Sequence, residues 1–259
     1  MPAETFPVAR DAERMGVYAV EPLKAWRAFR LLLRDKEDTV QVFKIVKALS
    51  GRSLQQSYFR LLQTPEGGRQ AYLAREFSEL LSDQRWLSSF SFGTVGASYR
   101  AFMSARSLSA YSLIEATRRV EHSDVDAAHP LAWLARRRRD VHDVWHVLTG
   151  YDMDAIGEIC LIAFTYGQTG NPAFAALATA ATINLKRQFP GAPCFAAVYE
   201  AYRSGRAAAW LEALDYEALF SESLETARAH LGITRPALYE RLKSATLLGA
   251  GSPSTPVAT

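Results

Sequence analysis

The stretch RRRRDVHDVWHVLTGYDMDAIGE, Arg136 to Glu158, sets imidazoles, carboxylates and a block of arginines into an apolar repeat. It is either a solvated charged helix or a metal site built across a helical turn. At about 100° per residue, with His142 at the origin, His146 falls at about 40° and Asp143 at about 100°. Val141, Val144, Trp145 and Leu148 cover the opposite arc, so the segment reads as an amphipathic helix with a polar ligand face. Two histidines four apart on one helix face can share one metal ion. Gly150 is a natural left-handed stop, and Asp152 or Asp154 can cap a second helix. Glu158 then sits about one turn inside that helix, level with His146 across the turn. The expected unit is a helix–turn–helix pair bringing His142, Asp143, His146 and Glu158 together. Two imidazoles and two carboxylates suit a divalent metal: zinc first, with iron, cobalt or manganese as alternatives.

Outward from this stretch the chain reads as helix nearly throughout. PLKAWRAFRLLLR (22–34) opens on a proline and carries Leu23, Trp26, Phe29 and Leu33 at helical spacing. TVQVFKIVKAL (39–49) is a second amphipathic helix ending near Gly51. QQSYFRLLQTPEGGR carries a breaker at Pro65 with Gly67 and Gly68. REFSELLSDQRWL (75–87) and FGTVGASYRAFM (92–103) are further helices, followed by a polar loop closed by Pro130. Helices are expected at about 131–149, 154–167, 172–188 and 206–230. Strand signals are weak, and the fold class is all-α, a single helical domain over 17–247. A flexible N-terminus (1–16) and a small, Pro/Gly-rich disordered tail (248–259) flank it.

Composition sets the outer limits. Of 259 residues, 49% are hydrophobic and 22% charged, which is ordinary for a globular chain with a sizeable core. The net charge of +3 is too small to argue for nucleic acid as a partner. Two cysteines, Cys160 and Cys194, give no disulfide framework and suit a reducing compartment. Cys160 lies about 200° from Glu158 on the helix and reads as packing. The N-terminus lacks an apolar core for a secretory signal, and no apolar run reaches the roughly 18 residues of a membrane span. The expected location is intracellular, peripheral on the inner (cytoplasmic-side) membrane of a bacterium. The segment 22–34, with bulky apolar residues and a tryptophan among basic ones, is the first candidate for the membrane surface, and RAAAWLEALDYEALF (206–220) the second.

The motif HDVWHVLTGYDMDAIGE, His-Asp-x-x-His, eleven residues, Glu, resembles that of the ubiquinone (coenzyme Q) biosynthesis family known as the fourth Coq protein. FGTVGASYRAFM resembles the family's glycine-rich segment before its Tyr…Phe-Met helix, and TPEGGR and REFSELLSDQRWL resemble its N-terminal half. The resemblance spans most of residues 20–220. It implies a largely helical protein at a membrane surface, with a metal on His142, Asp143, His146 and Glu158. It also implies handling of a polyprenylated benzenoid precursor. The activity it implies is oxidative decarboxylation, replacing the carboxylate at ring carbon one with a hydroxyl. The alternative is a non-catalytic lipid-binding scaffold for the other ubiquinone biosynthesis proteins. A homodimer is compatible with either.

The same wheel puts Arg139 at about 60° and Arg136 at about 120°, on the ligand face. Both are candidates to pair with the substrate's carboxylate, Arg139 beside the metal; Asp140, Asp143 or Glu158 are competing partners for Arg139. Arg137 and Arg138 point elsewhere and read as solvated or membrane-facing. Ile162 and Tyr166 continue the face of Glu158 and, with the alanine-rich 171–185, are candidates to line a channel for a prenyl tail. His122, His129 and His230 lack partners at ligand spacing and read as surface or loop histidines. A metal-dependent hydrolase is a distant third function, because the further His and Asp that such enzymes need have no evident equivalents.

Overall fold

Short polar caps, first-turn prolines and left-handed glycines punctuate the chain into helices. The computed structural model describes residues 20–32, 34, 38–105 and 128–250. In chain order the helices are α1 (Pro22–Leu32), α2 (Thr39–Leu49), α3 (Ser53–Leu62), α4 (Pro65–Leu73), α5 (Phe77–Ser82), α6 (Gln84–Ser88) and α7 (Val95–Ser104). Then come α8 (Pro130–Asp140), α9 (His142–Thr149), α10 (Ala155–Thr169), α11 (Pro172–Gln188), α12 (Cys194–Ala207), α13 (Tyr216–Leu219), α14 (Leu224–Leu231) and α15 (Ala237–Ala250). Among the described residues there is no strand, only an isolated bridge between Thr94 and Ser223. The all-α expectation holds. Pro65, Pro130 and Pro172 open α4, α8 and α11, where a missing N–H costs nothing. Gly150, Gly170 and Gly232 close α9, α10 and α14 at positive φ.

α10 is the axis of the main core. Ile159, Cys160, Leu161, Ala163 and Phe164 are all buried, which bears out Cys160 as a packing residue. α12 lies against α10 so closely that a side chain on Gly205 would meet the Phe164 carbonyl at 2.2 Å, and one on Gly167 the Tyr202 carbonyl at 2.6 Å. Residues of α5, α6, α7, α9, α11, α13, α14 and α15 also belong to this cluster. α1 and α2 pair and rest on α11 through Ala28, Ile45 and Leu177. Leu61, Trp133 and Leu134 form a third cluster between α3 and α8.

Several boundaries differ from the sequence expectation. The helix expected at 131–149 is two, because ψ at Val141 is −4°. The segment 75–87 is also two, α5 and α6, divided at Asp83, whose carboxylate caps α6 through the amides of Arg85 and Trp86. Pro65 starts a helix rather than ending one, and Gly67 and Gly68 lie inside it. The helix expected at 206–230 is replaced by a 3-10 turn and two short helices capped by Asp215 and Ser223. α12 and α15 lay outside the expected helices, and α15 takes in residues 248–250 of the expected tail. Residues 1–16, expected to be flexible, most of the 121–130 loop with His122, and 251–259 lie outside the described residues. The second membrane candidate is corrected as well: Leu211, Tyr216, Leu219 and Phe220 of 206–220 are buried in the core.

Candidate metal centre

α9 and α10 face each other across the turn that Gly150 makes possible at φ 80°. Asp154, rather than Asp152, is the cap of α10, its Oδ1 accepting from the amides of Ile156 (3.0 Å) and Gly157 (2.9 Å). That cap fixes where α10 begins and so the level of Glu158. Gly157 lets the loop lie flat on the helix: a Cβ there would sit 1.9 Å from the Asp152 carbonyl oxygen. His142, Asp143 and His146 offer ligand atoms that all lie within 4.8 Å of one another, a group that can hold a metal ion. Glu158 reaches in from α10, its Oε1 3.2 Å from His146 Nε2 and its Oε2 3.9 Å from His142 Nε2.

The protonation pattern follows from the partners. His146 Nδ1 lies 3.0 Å from the Tyr151 carbonyl oxygen, which only accepts, so Nδ1 carries the hydrogen. In the neutral ring Nε2 then presents a lone pair. That atom is buried and lies 3.2 Å from a Glu158 carboxylate oxygen, with which a protonated ring would pair. Either a proton or a metal ion between these two atoms accounts for that separation. Ligands about 2.0–2.2 Å from a tetrahedral ion stand roughly 3.3–3.5 Å apart, close to the spacing seen. The donor set therefore fits a divalent metal. His142 Nδ1 bonds Asp143 Oδ1 at 3.1 Å, leaving its Nε2 toward Glu158. Burial pulls the His142 pKa down, but the Asp143 hydrogen bond and the charge of Glu158 outweigh it and hold His142 above its ordinary value. Burial likewise raises Glu158, yet the hydrogen bond from His146 and the charge of His142 bring it below the usual range. Phe102 of α7 stacks on the His146 ring, centroids 5.6 Å apart. His146 and Asp143 are buried, whereas the His142 and Glu158 side chains are 31% and 33% exposed, so the site opens on one side.

The arginines of α8 are each answered by a partner in the fold. Arg137 is buried, donates to the Leu214 carbonyl and lies over the rings of Trp133 and Tyr216. Arg138 pairs with buried Glu212 and with Ser57. The expectation that these two are solvated is thus overturned by inter-helix partners no wheel contains. Arg139 forks onto Asp140 at 2.7–2.8 Å, and Arg136 onto Glu76 at 2.6–3.0 Å. Ile162 packs on two of the hydrophobic clusters, and Tyr166 stacks on Tyr202 of α12. His129 caps α8 and His230 pairs with Glu222.

Beside His146 an open cleft of about 410 Å³ is lined by Ser98, Phe102, Tyr151, Tyr239 and Lys243, among others. Sequence reasoning found none of these as site residues. Tyr239 and Lys243, four apart on α15, share one helix face, a signal that depends on reading 237–250 as a helix.

A sequence profile described as "Coenzyme Q (ubiquinone) biosynthesis protein Coq4" matches residues 25–237. The chain is similar to the protein named "Ubiquinone biosynthesis protein COQ4 homolog, mitochondrial" of Homo sapiens, 29% identical over 180 residues, covering 70% of this chain and 65% of that protein. The Bos taurus protein of the same name is 28% identical over 179 residues, covering 69% and 65%. The aligned part thus spans about two thirds, and slightly less, of those relatives' length. A crystal structure from Nostoc punctiforme, described as that of a ubiquinone biosynthesis protein, shares the fold with a TM-score of 0.61. It is 23% identical, covering 83% of this chain and 99% of that one. With the profile running across all the helices that build the site, from α1 to the start of α15, the chain belongs to the coenzyme Q (ubiquinone) biosynthesis Coq4 family.

Proposed function

We propose that this protein acts in ubiquinone biosynthesis, with a divalent metal ion held by His142, Asp143, His146 and Glu158. A polyprenylated benzenoid precursor is its substrate, and the ring-carbon-one carboxyl leaves as carbon dioxide while a hydroxyl takes its place, a two-electron oxidation in which, with water supplying the hydroxyl oxygen, dioxygen is reduced to hydrogen peroxide. The observation that carries the metal is the convergence of His142, Asp143 and His146, whose ligand atoms lie within 4.8 Å of one another, with Glu158 Oε1 3.2 Å from His146 Nε2. A bound divalent ion supplies Lewis acidity toward ring oxygens. Zinc suits the donor set; iron, cobalt and manganese are the alternatives.

The chain's own residues supply the rest. Tyr151 fixes the His146 tautomer and Asp143 orients His142, both through Nδ1. The exposed side at His142 and Glu158 leaves room for substrate, which favours chemistry over a closed structural metal. Arg139 and Arg136 enter as carboxylate-binding candidates only if substrate displaces Asp140 or Glu76, so their first role is holding α8 in place. Ile162 and Tyr166 line a tail channel in this reading. Leu23, Trp26 and Leu31 of α1 are exposed beside Arg27 and Arg30, which supports contact with a membrane surface, where the other ubiquinone biosynthesis proteins are its partners. No helix of the described residues is long and apolar enough to cross a membrane.

The test is metal analysis of the purified protein coupled to turnover of a prenylated hydroxybenzoate under oxygen. Stoichiometric metal with turnover, both lost in His142→Ala and Glu158→Ala, is the expected result. Metal without turnover supports the non-catalytic scaffold instead, and absence of metal from the wild type removes the site.

A further inference from the structure

The loop from Gly150 to Asp154 must do two things at once for the proposed metal centre. It must present the Tyr151 carbonyl to His146 Nδ1, and it must place Asp154 as the cap that sets the level of Glu158. Its own composition works against this, because Asp152 and Asp154 bring two carboxylates close together. The opposing force comes from α15. The Tyr239 hydroxyl accepts from the Asp152 amide (3.0 Å) and donates to Asp154 Oδ2 (2.8 Å). The Lys243 ammonium lies 2.8 Å from Asp152 Oδ2 and 2.9 Å from Asp154 Oδ2, bridging the two. The Tyr239 ring, itself buried, meets the Tyr151 ring edge to face at 5.3 Å. Both residues lie past Ala237, where the family profile ends.

We infer that Tyr239 and Lys243 are positioning residues for the metal centre, clamping the Gly150–Asp154 loop so that His146 keeps its Nδ1–H tautomer and Glu158 its level. This rests on the metal reading above. Without the clamp, the two aspartates push the loop open and the Tyr151 carbonyl leaves His146. The ring can then carry its proton on Nε2, where the metal needs a lone pair.

The experiment uses the full chain, stripped of metal, with Zn²⁺ alone added against a competing chelator. The variants are Lys243→Ala, Lys243→Arg, Tyr239→Phe and, as a control in the core of the same helix, Leu242→Ala. Lys243→Ala and Tyr239→Phe should bind about 10- to 100-fold more weakly. Lys243→Arg should recover most of that loss. Leu242→Ala should lower the melting temperature and leave the affinity of the folded protein within about twofold, since it touches no polar partner of the loop. In the metal-free protein, nitrogen chemical shifts should report His146 protonated at Nδ1 in wild type and a mixture of tautomers in Lys243→Ala. Wild-type affinity and tautomer in Lys243→Ala and Tyr239→Phe, or an equal affinity loss in Leu242→Ala, overturns the clamp while leaving the metal reading intact. No Zn²⁺ affinity in the wild type overturns the metal reading itself, and the inference with it.

Discussion

Gly157 has the least room of any residue around the site, since the Asp152 carbonyl occupies the place a Cβ would take at 1.9 Å. Gly157→Ala must push the loop off α10. It should destabilise the protein by about 1–3 kcal/mol or more in a denaturant melt and weaken metal binding in the same variant. Arg228 acts from the other end of the loop, donating to the Val147 and Leu148 carbonyls (2.9 and 2.8 Å), which lack intrahelical partners at the end of α9. Arg228→Ala should cost about 1.5–3 kcal/mol by the same measurement. A pH dependence follows from Asp154. Burial alone raises its pKa, but the Gly157 amide, Lys243 and the Tyr239 hydroxyl outweigh that and hold the carboxyl below its usual range. A depressed folded pKa gives stability that is present above the unfolded value, near 4, and lost as pH falls through the folded value. Lys243 has the opposite sign: burial lowers it, its hydrogen bonds to Asp152 and Asp154 raise it further, and its contribution disappears only at strongly alkaline pH. Asp154→Asn keeps the cap and should flatten the fall in melting temperature below about pH 4. An unchanged acid limb would refute this account of Asp154. At this scale His142, Asp143 and His146 were legible in sequence because helical spacing relates them, and Glu158 because the Gly150 stop and the aspartate cap set its level. The arginines were not, because Glu76, Glu212 and Leu214 answer them from distant segments.

Among the elements, α9 is short and depends on its neighbours. Eight residues do not make a stable isolated helix, and Val144, Trp145 and Leu148 bind it into the core. Trp145 also donates to the Tyr216 hydroxyl at 2.6 Å, tying α9 to α13. The break at Val141, where ψ is −4°, divides the expected single helix into α8 and α9, so a wheel is strictly drawn only within each. α10 is positioned by α12, and Gly205 is the point of nearest approach, 2.2 Å from the Phe164 carbonyl for a built Cβ. Gly205→Ala should therefore destabilise by about 1–3 kcal/mol. Gly191→Ala, with nothing within 4 Å of a built Cβ, should stay within about 0.5 kcal/mol. Equal effects from the two would contradict the close packing of α10 on α12. α12 and α15 escaped the sequence reading for different reasons. α12 follows the turn Gly191–Ala192–Pro193 without a side-chain cap, and α15 follows Pro236 in a stretch whose periodicity is weak.

For the whole molecule, the hydrophobic pattern and the absence of strand signals were enough to give the fold class, because helical period is a local property. The placement of helices about α10 was not available, since it depends on glycine contacts between segments far apart in sequence. α1 stands out on the surface: Ala25 and Ala28 face inward while Leu23 and Trp26 are 75% and 58% exposed. The double variant Leu23→Ser, Trp26→Ser should lose binding to anionic vesicles, read by sedimentation, while its melting temperature stays near that of wild type. Retained vesicle binding would move the lipid contact elsewhere. The clamp on the Gly150–Asp154 loop also has a place in time. During synthesis His142 to Glu158 emerge together, whereas Lys243 follows about 85 residues after Glu158, some 4–17 s later at about 5–20 residues per second. A nascent chain thus displays all four proposed ligands before Lys243 exists. On the proposed metal reading, an ion captured early would be held exchangeably, and the arrival of α15 would turn a reversible encounter into a retained one.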